Sequence, residues 1–537
     1  MRTARFAPEL RESENDRIRT FVPAARLGPA ASLPRAAKVR VVSSQTGKLP
    51  LRLKIIHGFG AVAFGVKDIG FSFFLLIYYN QVLGMDAALV SLALLLALLV
   101  DAVVDPVIGN LCDRTYTRWG RRLPWLYIAP IPLALVWVLL WSPSGGEPPT
   151  FWGLFAIAVS VRLLLSACEV PSVSLVPELT GDYVERTTLF RFRFLSGWLG
   201  GLFMLILAVT IFLPGEEGRL QPDGYLPFGI FGAVLMVVSV IGSAAGQHYL
   251  IAKLPETKPP PFTVKGVFQE ITDAFSQWPF LIFAAGALAA YLNQGMTFSL
   301  TNYVNLFVWQ LDAFEELVYA LILGLSVVLM FVAVGPLHNR FGKPKSAAIG
   351  AIGSMMVGLT PYALLVLGLW PEAGSNLSTY SYFSFLLVAN TLGIVMMVSA
   401  TSMIAEVIED FEEKTHRRAE AAFYSGNWMV QKCATGGGIF LTGQIIAYSQ
   451  LSSDAAVGAV PQTVLNDMII TYGATAIVLG LLSAAFLGNF PISREQHEAR
   501  LERLAARKAA SHSDSDTANQ DPVNAAASAD PDAHSVI

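Results

Sequence analysis

Asp101 and Asp105 stand four residues apart in Val100-Asp-Ala-Val-Val-Asp-Pro106, inside an otherwise apolar run. That spacing puts both carboxylates on one face of a helix. Two acids facing one spot repel each other, and a proton or a sodium ion between them relieves the repulsion. Further along, Arg162, Ser166 and Glu169 share a helical face at i, i+4 and i+7. Lys67 adjoins Asp68, and Lys432 precedes Cys433-Ala-Thr-Gly436, whose glycine permits close helix approach. An ionisable group at the middle of a bilayer costs about 2.5 to 3.5 kcal/mol on insertion scales, so each one needs a partner or a water-filled cavity. The set holds four acids (Asp68, Asp101, Asp105, Glu169) against three bases (Lys67, Arg162, Lys432). One proton or one monovalent cation cancels the difference. For the bases the alternative is an ion pair that locks helices together. Pro106 and Pro171, beside the acids, either free carbonyls as discontinuous transporter helices do or merely kink their helices.

The elements that hold these charges are written in the composition. Of 537 residues, 54% are hydrophobic and 14% charged, with mean hydropathy +0.52. A soluble chain carries about 25% charged residues. A membrane helix needs roughly 20 apolar residues to cross about 30 Å of hydrocarbon. Twelve such runs are present: 58–81, 88–111, 123–142, 151–177, 193–214, 226–251, 278–309, 316–336, 345–369, 379–405, 419–449 and 464–489. The expected fold is an all-α polytopic membrane protein, twelve transmembrane helices in two six-helix halves, 55–252 and 278–490, joined by a central loop at 253–277. Residues 1–54 lack the apolar core of a signal peptide and read as a flexible extension. The tail 491–537 opens with an amphipathic stretch and ends in polar low-complexity sequence, expected to be disordered beyond about residue 511.

Charge placement sets the orientation. By these spans, thirty-one of the thirty-seven Lys and Arg residues fall in the termini and the even-numbered connections, Arg193 and Lys345 stand at the very start of the spans that follow such connections, and Arg219 alone falls in an odd-numbered one. Both termini are therefore expected in the cytoplasm, in a plasma (inner) membrane. A weak repeat supports the two halves: Gly109-Asn-Leu-Cys-Asp113-Arg114, ending in Trp119-Gly120-Arg121-Arg122, is echoed by Gly335-Pro-Leu-His-Asn339-Arg340-Phe341-Gly342-Lys343. Such loops pin helix ends through charged hydrogen bonds in one conformational state; plain positive-inside anchoring is the simpler reading.

Several function classes fall away. Three cysteines, two of them within apolar runs, argue against a disulfide framework. A net charge of −3 gives no reason to bind nucleic acid. No H-x-x-x-H pair occurs, and Gly342-Lys343 lacks the glycine spacing of a phosphate loop, so neither an intramembrane enzyme nor an ATP-driven pump is expected. No cofactor and no obligate protein partner are expected; the lipid bilayer is the surrounding medium.

The chain resembles the glycoside-pentoside-hexuronide:cation symporters of the major facilitator superfamily, typified by melibiose permease, from about residue 55 to 490. The marks are Asp101-x-x-x-Asp105-Pro106-x-x-Gly109 leading to Asp113-Arg114 and Arg118-Trp119-Gly120-Arg121-Arg122-x-Pro124. Glu169-Val-Pro171 through Pro177, Glu185-Arg186-Thr187, and Glu406-Val-Ile-Glu409-Asp410 before Lys414-Thr-His-Arg417-Arg418 follow in order. The resemblance implies that Asp101 and Asp105 carry the coupling cation, with Ser166 a ligating hydroxyl and Lys432 a lysine near that site; any transported Na+ would lie between the aspartates. It implies substrate contacts from Asp68, Glu169 and Arg193, to which Lys67 and Trp428 are added. A cytoplasmic gating set follows as Asp113, Arg114, Arg121, Arg122, Glu406 and Asp410. Val104 stands where sodium-using relatives carry asparagine, which removes an oxygen ligand, and Val173 stands where a tryptophan stacks on the sugar. Candidate stacking aromatics are Tyr78, Tyr291, Phe298, Phe423 and Trp428.

The expectation is a cation-coupled symporter of a sugar or glycoside (glycoside, pentose or uronate) driven by H+ or Na+. The alternatives are a transporter-like sensor and a carrier of an amphipathic substrate such as a lysolipid.

Overall fold

The computed structural model describes residues 48–143, 148–180, 182–252, 272, 274–415, 420–492, 495–496, 499–500 and 503. The expectations for the N-terminal extension, for most of the central loop and for the end of the tail lie outside the described residues. Within them the chain is helical, apart from one isolated bridge between Thr117 and Gly120. The helices are α1 (Leu51–Val82), α2 (Ala87–Arg114), α3 (Pro130–Trp141), α4 (Phe151–Leu179), α5 (Val184–Phe212), α6 (Pro222–Ile251), α7 (Trp278–Val308), α8 (Ala313–Val366), α9 (Asn376–Thr415), α10 (Glu420–Tyr448) and α11 (Gln462–Gly488).

Among the described residues, nine of these are long and apolar enough to cross a bilayer unaided. The twelve expected spans do not map one to one onto separate helices. The third is split into a short helix, Leu123–Ile128, and α3. The eighth and ninth lie on either side of Gly342 within α8, where the backbone leaves the helical conformation (φ 75°, ψ 167°) in a geometry that only glycine adopts without strain, so the expected connection between 336 and 345 falls at this break. Polar residues cap the starts: Asp86 accepts from the Leu89 amide, Thr150 from Gly153, and Asp312 forms a reciprocal capping box with Glu315. Both α2 and α4 run on through Pro106 and Pro171. Irregularity takes the form of π-helical turns: Ile69–Phe74, directly after Lys67 and Asp68, and Tyr78–Val82 in α1, Ala208–Phe212 at the end of α5 and Val304–Val308 at the end of α7. Each π turn adds a residue and rotates the side chains beyond it, a feature frequent at functional sites.

Much of the outer surface is oil. Phe194, Phe331 and Val332 are 71%, 69% and 71% exposed, a pattern that suits acyl chains rather than water. Inside, α2 lies against α10 at small residues: a Cβ on Gly443 would come 2.0 Å from Ser91 Oγ and 2.5 Å from the Ala87 carbonyl oxygen. This contact brings Lys432 of α10 opposite the aspartates of α2.

The apolar core divides unequally. One cluster joins the helices before residue 252 to the ends of α7, α9 and α11 near Leu300, Tyr303, Tyr382 and Met468. A second cluster, around Phe280, Met403, Phe423 and Leu487, belongs to the helices after residue 278 alone and lies at the end that bears the basic connections. The halves thus share a core at one end. Polar bonds agree: Asn302 donates to the Phe73 carbonyl at 2.6 Å, Tyr303 to Asn80 Oδ1 at 3.1 Å, and Gln81 to the Ser452 carbonyl at 3.1 Å. At the same end Arg219, the solitary base of the odd-numbered connections, pairs with Glu316 at 2.7 Å, both fully buried. At the basic end, the pairs Lys54–Glu185, Arg122–Glu178, Lys343–Glu406 and Arg500–Asp410 each stay within one half.

Candidate ion and substrate site

Asp101 and Asp105 lie on the α2 face that meets α4 and α10. Asp101 is almost wholly buried and engages four donors. Arg162 of α4 donates to its Oδ2 from Nε at 3.0 Å and from Nη2 at 2.5 Å. Ser166, one turn along α4, donates to Oδ1 at 2.6 Å, and Lys432 Nζ stands 2.8 Å from Oδ2. Asp105 pairs with Lys432 through Oδ2, while its buried Oδ1 has no partner among the described residues. The guanidinium of Arg162 also lies 5.4 Å from the centre of the Phe71 ring. Two acids and two bases therefore form a neutral quartet in which three members come from one half and Lys432 from the other.

This corrects the charge count. The set of four acids against three bases leaves one negative charge over, but the fold sets two of the three bases, Arg162 and Lys432, on the aspartate pair itself. Lys67 and Asp68, adjacent in sequence, neutralise each other at 2.5 Å. Glu169 is left half-buried, with no hydrogen-bond or ion-pair partner among the described residues and within Coulombic reach of Arg162 and Arg193. Arg193, which the count by spans set at a helix edge, is buried on α5, donates from Nη1 to Ser172 Oγ at 2.6 Å and sits 5.8 Å from the Phe64 ring centre. The membrane-embedded charges thus balance once Arg193 is included.

The substrate candidates split into two groups. Asp68, Glu169 and Arg193 come from α1, α4 and α5. The Asp68 side chain is 61% exposed on a helix that is otherwise largely buried. A carboxylate pair and a guanidinium offer the acceptors and donors that hydroxyl groups need. Trp428 lies one turn before Lys432 on α10 and is 46% exposed, outside the contacts of the quartet. Most of the other candidate aromatics are core. Tyr78 donates to the Trp141 carbonyl, Phe298 packs on Phe73, and Phe423 packs on Phe280.

The gating candidates form two local networks. Arg122 joins Asp113 at 3.2 Å and Glu178 at 2.8 Å and reaches the Ser174 carbonyl, tying the α2 end to α4. Arg114 donates to Asn110 at 2.6 Å, and the Arg121 carbonyl faces Cys112. Glu406 binds Lys343 at 2.9 Å, and Asp410 binds Lys414 and the tail's Arg500, each at 2.6 Å. Sequence reasoning left out Glu178, Arg500, Ser172 and Glu316. No local pattern marks them, because each partner arrives from a distant helix; only Arg219 carried a signal, its isolation among the odd-numbered connections.

A family model described as MFS/sugar transport protein matches residues 56–494. An uncharacterized symporter of Synechocystis is 36% identical over 200 residues, covering 36% of each chain. A lactose permease of Leuconostoc lactis is 25% identical over 435 residues, covering 78% of this chain and 64% of its own length. The match thus spans less than two thirds of either relative. Among solved structures, a D-xylose-proton symporter superposes with a TM-score of 0.57 at 14% identity, covering 80% of this chain and 96% of that one. At that identity the likeness establishes the fold.

Proposed function

The chain belongs to the MFS/sugar transport protein family, and from that membership we propose that it is a secondary active transporter that carries a sugar or glycoside together with a cation by alternating access. The observation that carries the reading is Lys432. Its ammonium comes from one half and seals the carboxylates of the other, so a cation arriving at Asp105 competes with it. Displacing Lys432 loosens a contact between the halves, and the same helix α4 that holds Arg162 and Ser166 presents Glu169 to the substrate. Cation binding and substrate binding then bias one rocking equilibrium, which is what couples two fluxes. With the basic end in the cytoplasm of the inner membrane, the shared core and the Arg219–Glu316 pair close the outer end, and the protein stands open inward.

The test is uptake into membrane vesicles of a panel of glycosides, pentoses, uronates and lysolipids under imposed proton or sodium gradients. The wild type concentrates one class of sugar substrate. Asp105→Asn binds that substrate but no longer accumulates it against a gradient. Normal accumulation by the variant refutes the coupling role of this carboxylate.

A further inference from the structure

We propose that Arg162 sets the ion specificity of the site: its guanidinium is a built-in cation on Asp101 that keeps sodium out. The inference rests on reading the quartet as the coupling site. An ionised carboxylate offers about four acceptor positions. On Asp101, Oδ2 is crowded by both Arg162 nitrogens and Lys432, while Oδ1 accepts from Ser166 and keeps one position.

The two bases differ in what rocking does to them. Lys432 belongs to the opposite half and leaves when the halves move. Arg162 and Asp101 belong to the same half, on the packed helices α4 and α2, so their pair persists through the cycle. Its burial to 6% exposure and its seat against Phe71 hold it there. When Lys432 departs, Arg162 still covers Oδ2 of Asp101, which leaves one position on its Oδ1 and the oxygens of Asp105, too few for a hard cation that collects oxygen ligands. Position 104, one residue before Asp105 on α2, is valine and adds none. Ser166 already directs its hydroxyl hydrogen at Asp101. A sodium ion held between the aspartates would also sit about 4 Å from the guanidinium, where like charges near a protein surface weaken binding by roughly a thousandfold. A proton needs no ligand shell and meets neither obstacle.

The experiment measures binding of radioactive sodium to the purified wild type, Arg162→Gln, Arg162→Met and Arg162→Lys, each checked for folding by thermal melting, alongside sodium-driven uptake. The wild type and Arg162→Lys show no saturable sodium binding. The neutral variants gain saturable binding, with at least tenfold more sodium bound than by the wild type at the same concentration, and Asp105→Asn in the same background removes it. Saturable wild-type sodium binding that Asp105→Asn abolishes overturns the proposal, and so do folded neutral variants that gain nothing. If neither neutral variant folds, Arg162→Lys decides. That variant retains the charge with fewer donors, and sodium binding by it overturns the proposal, while its absence together with sodium-independent wild-type accumulation upholds it. A chain that accumulates no substrate under any gradient refutes the symport reading separately, because sodium binding is measured without transport.

Discussion

Replacing Arg219 by alanine tests whether the buried pair at the end with the shared core holds the halves together. Arg219 Nη1 and Glu316 Oε1 lie 2.7 Å apart, and neither side chain is exposed. Removing one partner of such a pair leaves a buried charge uncompensated and costs about 3 to 5 kcal/mol. The cost is borne only by the form closed at this end, since opening returns Glu316 to water. Opening is then favoured by about 3 kcal/mol, a shift of roughly 150-fold in the equilibrium between the two forms. Spin labels at the exposed positions Asp223 and Thr463, on the two halves at this end, report the change as a longer distance by pulsed electron resonance. The double variant Arg219→Ala with Glu316→Ala removes both charges and restores the short distance, because no orphan remains. An unchanged distance in the single variant, or a double variant as open as the single one, refutes the reasoning.

Three further outcomes are expected. Ser166→Ala removes a 2.6 Å hydrogen bond to the ionised Asp101, worth about 1.5 to 3 kcal/mol, and lowers the uptake rate at least tenfold while the protein remains folded, as vesicle transport and melting curves will show. Gly443→Ala drives a Cβ into Ser91 and the Ala87 carbonyl; such overpacking costs about 1 to 3 kcal/mol and lowers the melting temperature, with partial recovery in the presence of Ser91→Gly. Arg193→Gln removes a buried guanidinium that has one described neutral partner, and raises the substrate concentration for half-maximal exchange while leaving the cation response in place; an unchanged half-saturation concentration moves the substrate site away from α5.

The sequence by itself determined the medium, the helices and the suspects. Runs of apolar residues long enough to cross a bilayer, with bases confined to alternate connections, allow little but a polytopic helical membrane protein, because backbone groups in oil must bond within their own segment. Spacing along a helix also fixed that Asp101 faces the same way as Asp105, and Arg162 the same way as Ser166, since 3.6 residues make a turn whatever the surroundings. Which charge meets which was a tertiary decision. Asp101 and Arg162 are sixty-one residues apart, and Asp105 and Lys432 three hundred and twenty-seven; the second pairing depends on small residues of α10, Gly436 and Gly443, that let it approach α2. The same applies to Arg219 and Glu316 and to Asp410 and Arg500. Ion pairing inside a membrane depends on distances of a few ångströms between helices, and these are set by packing, which a one-dimensional reading of spacing does not contain.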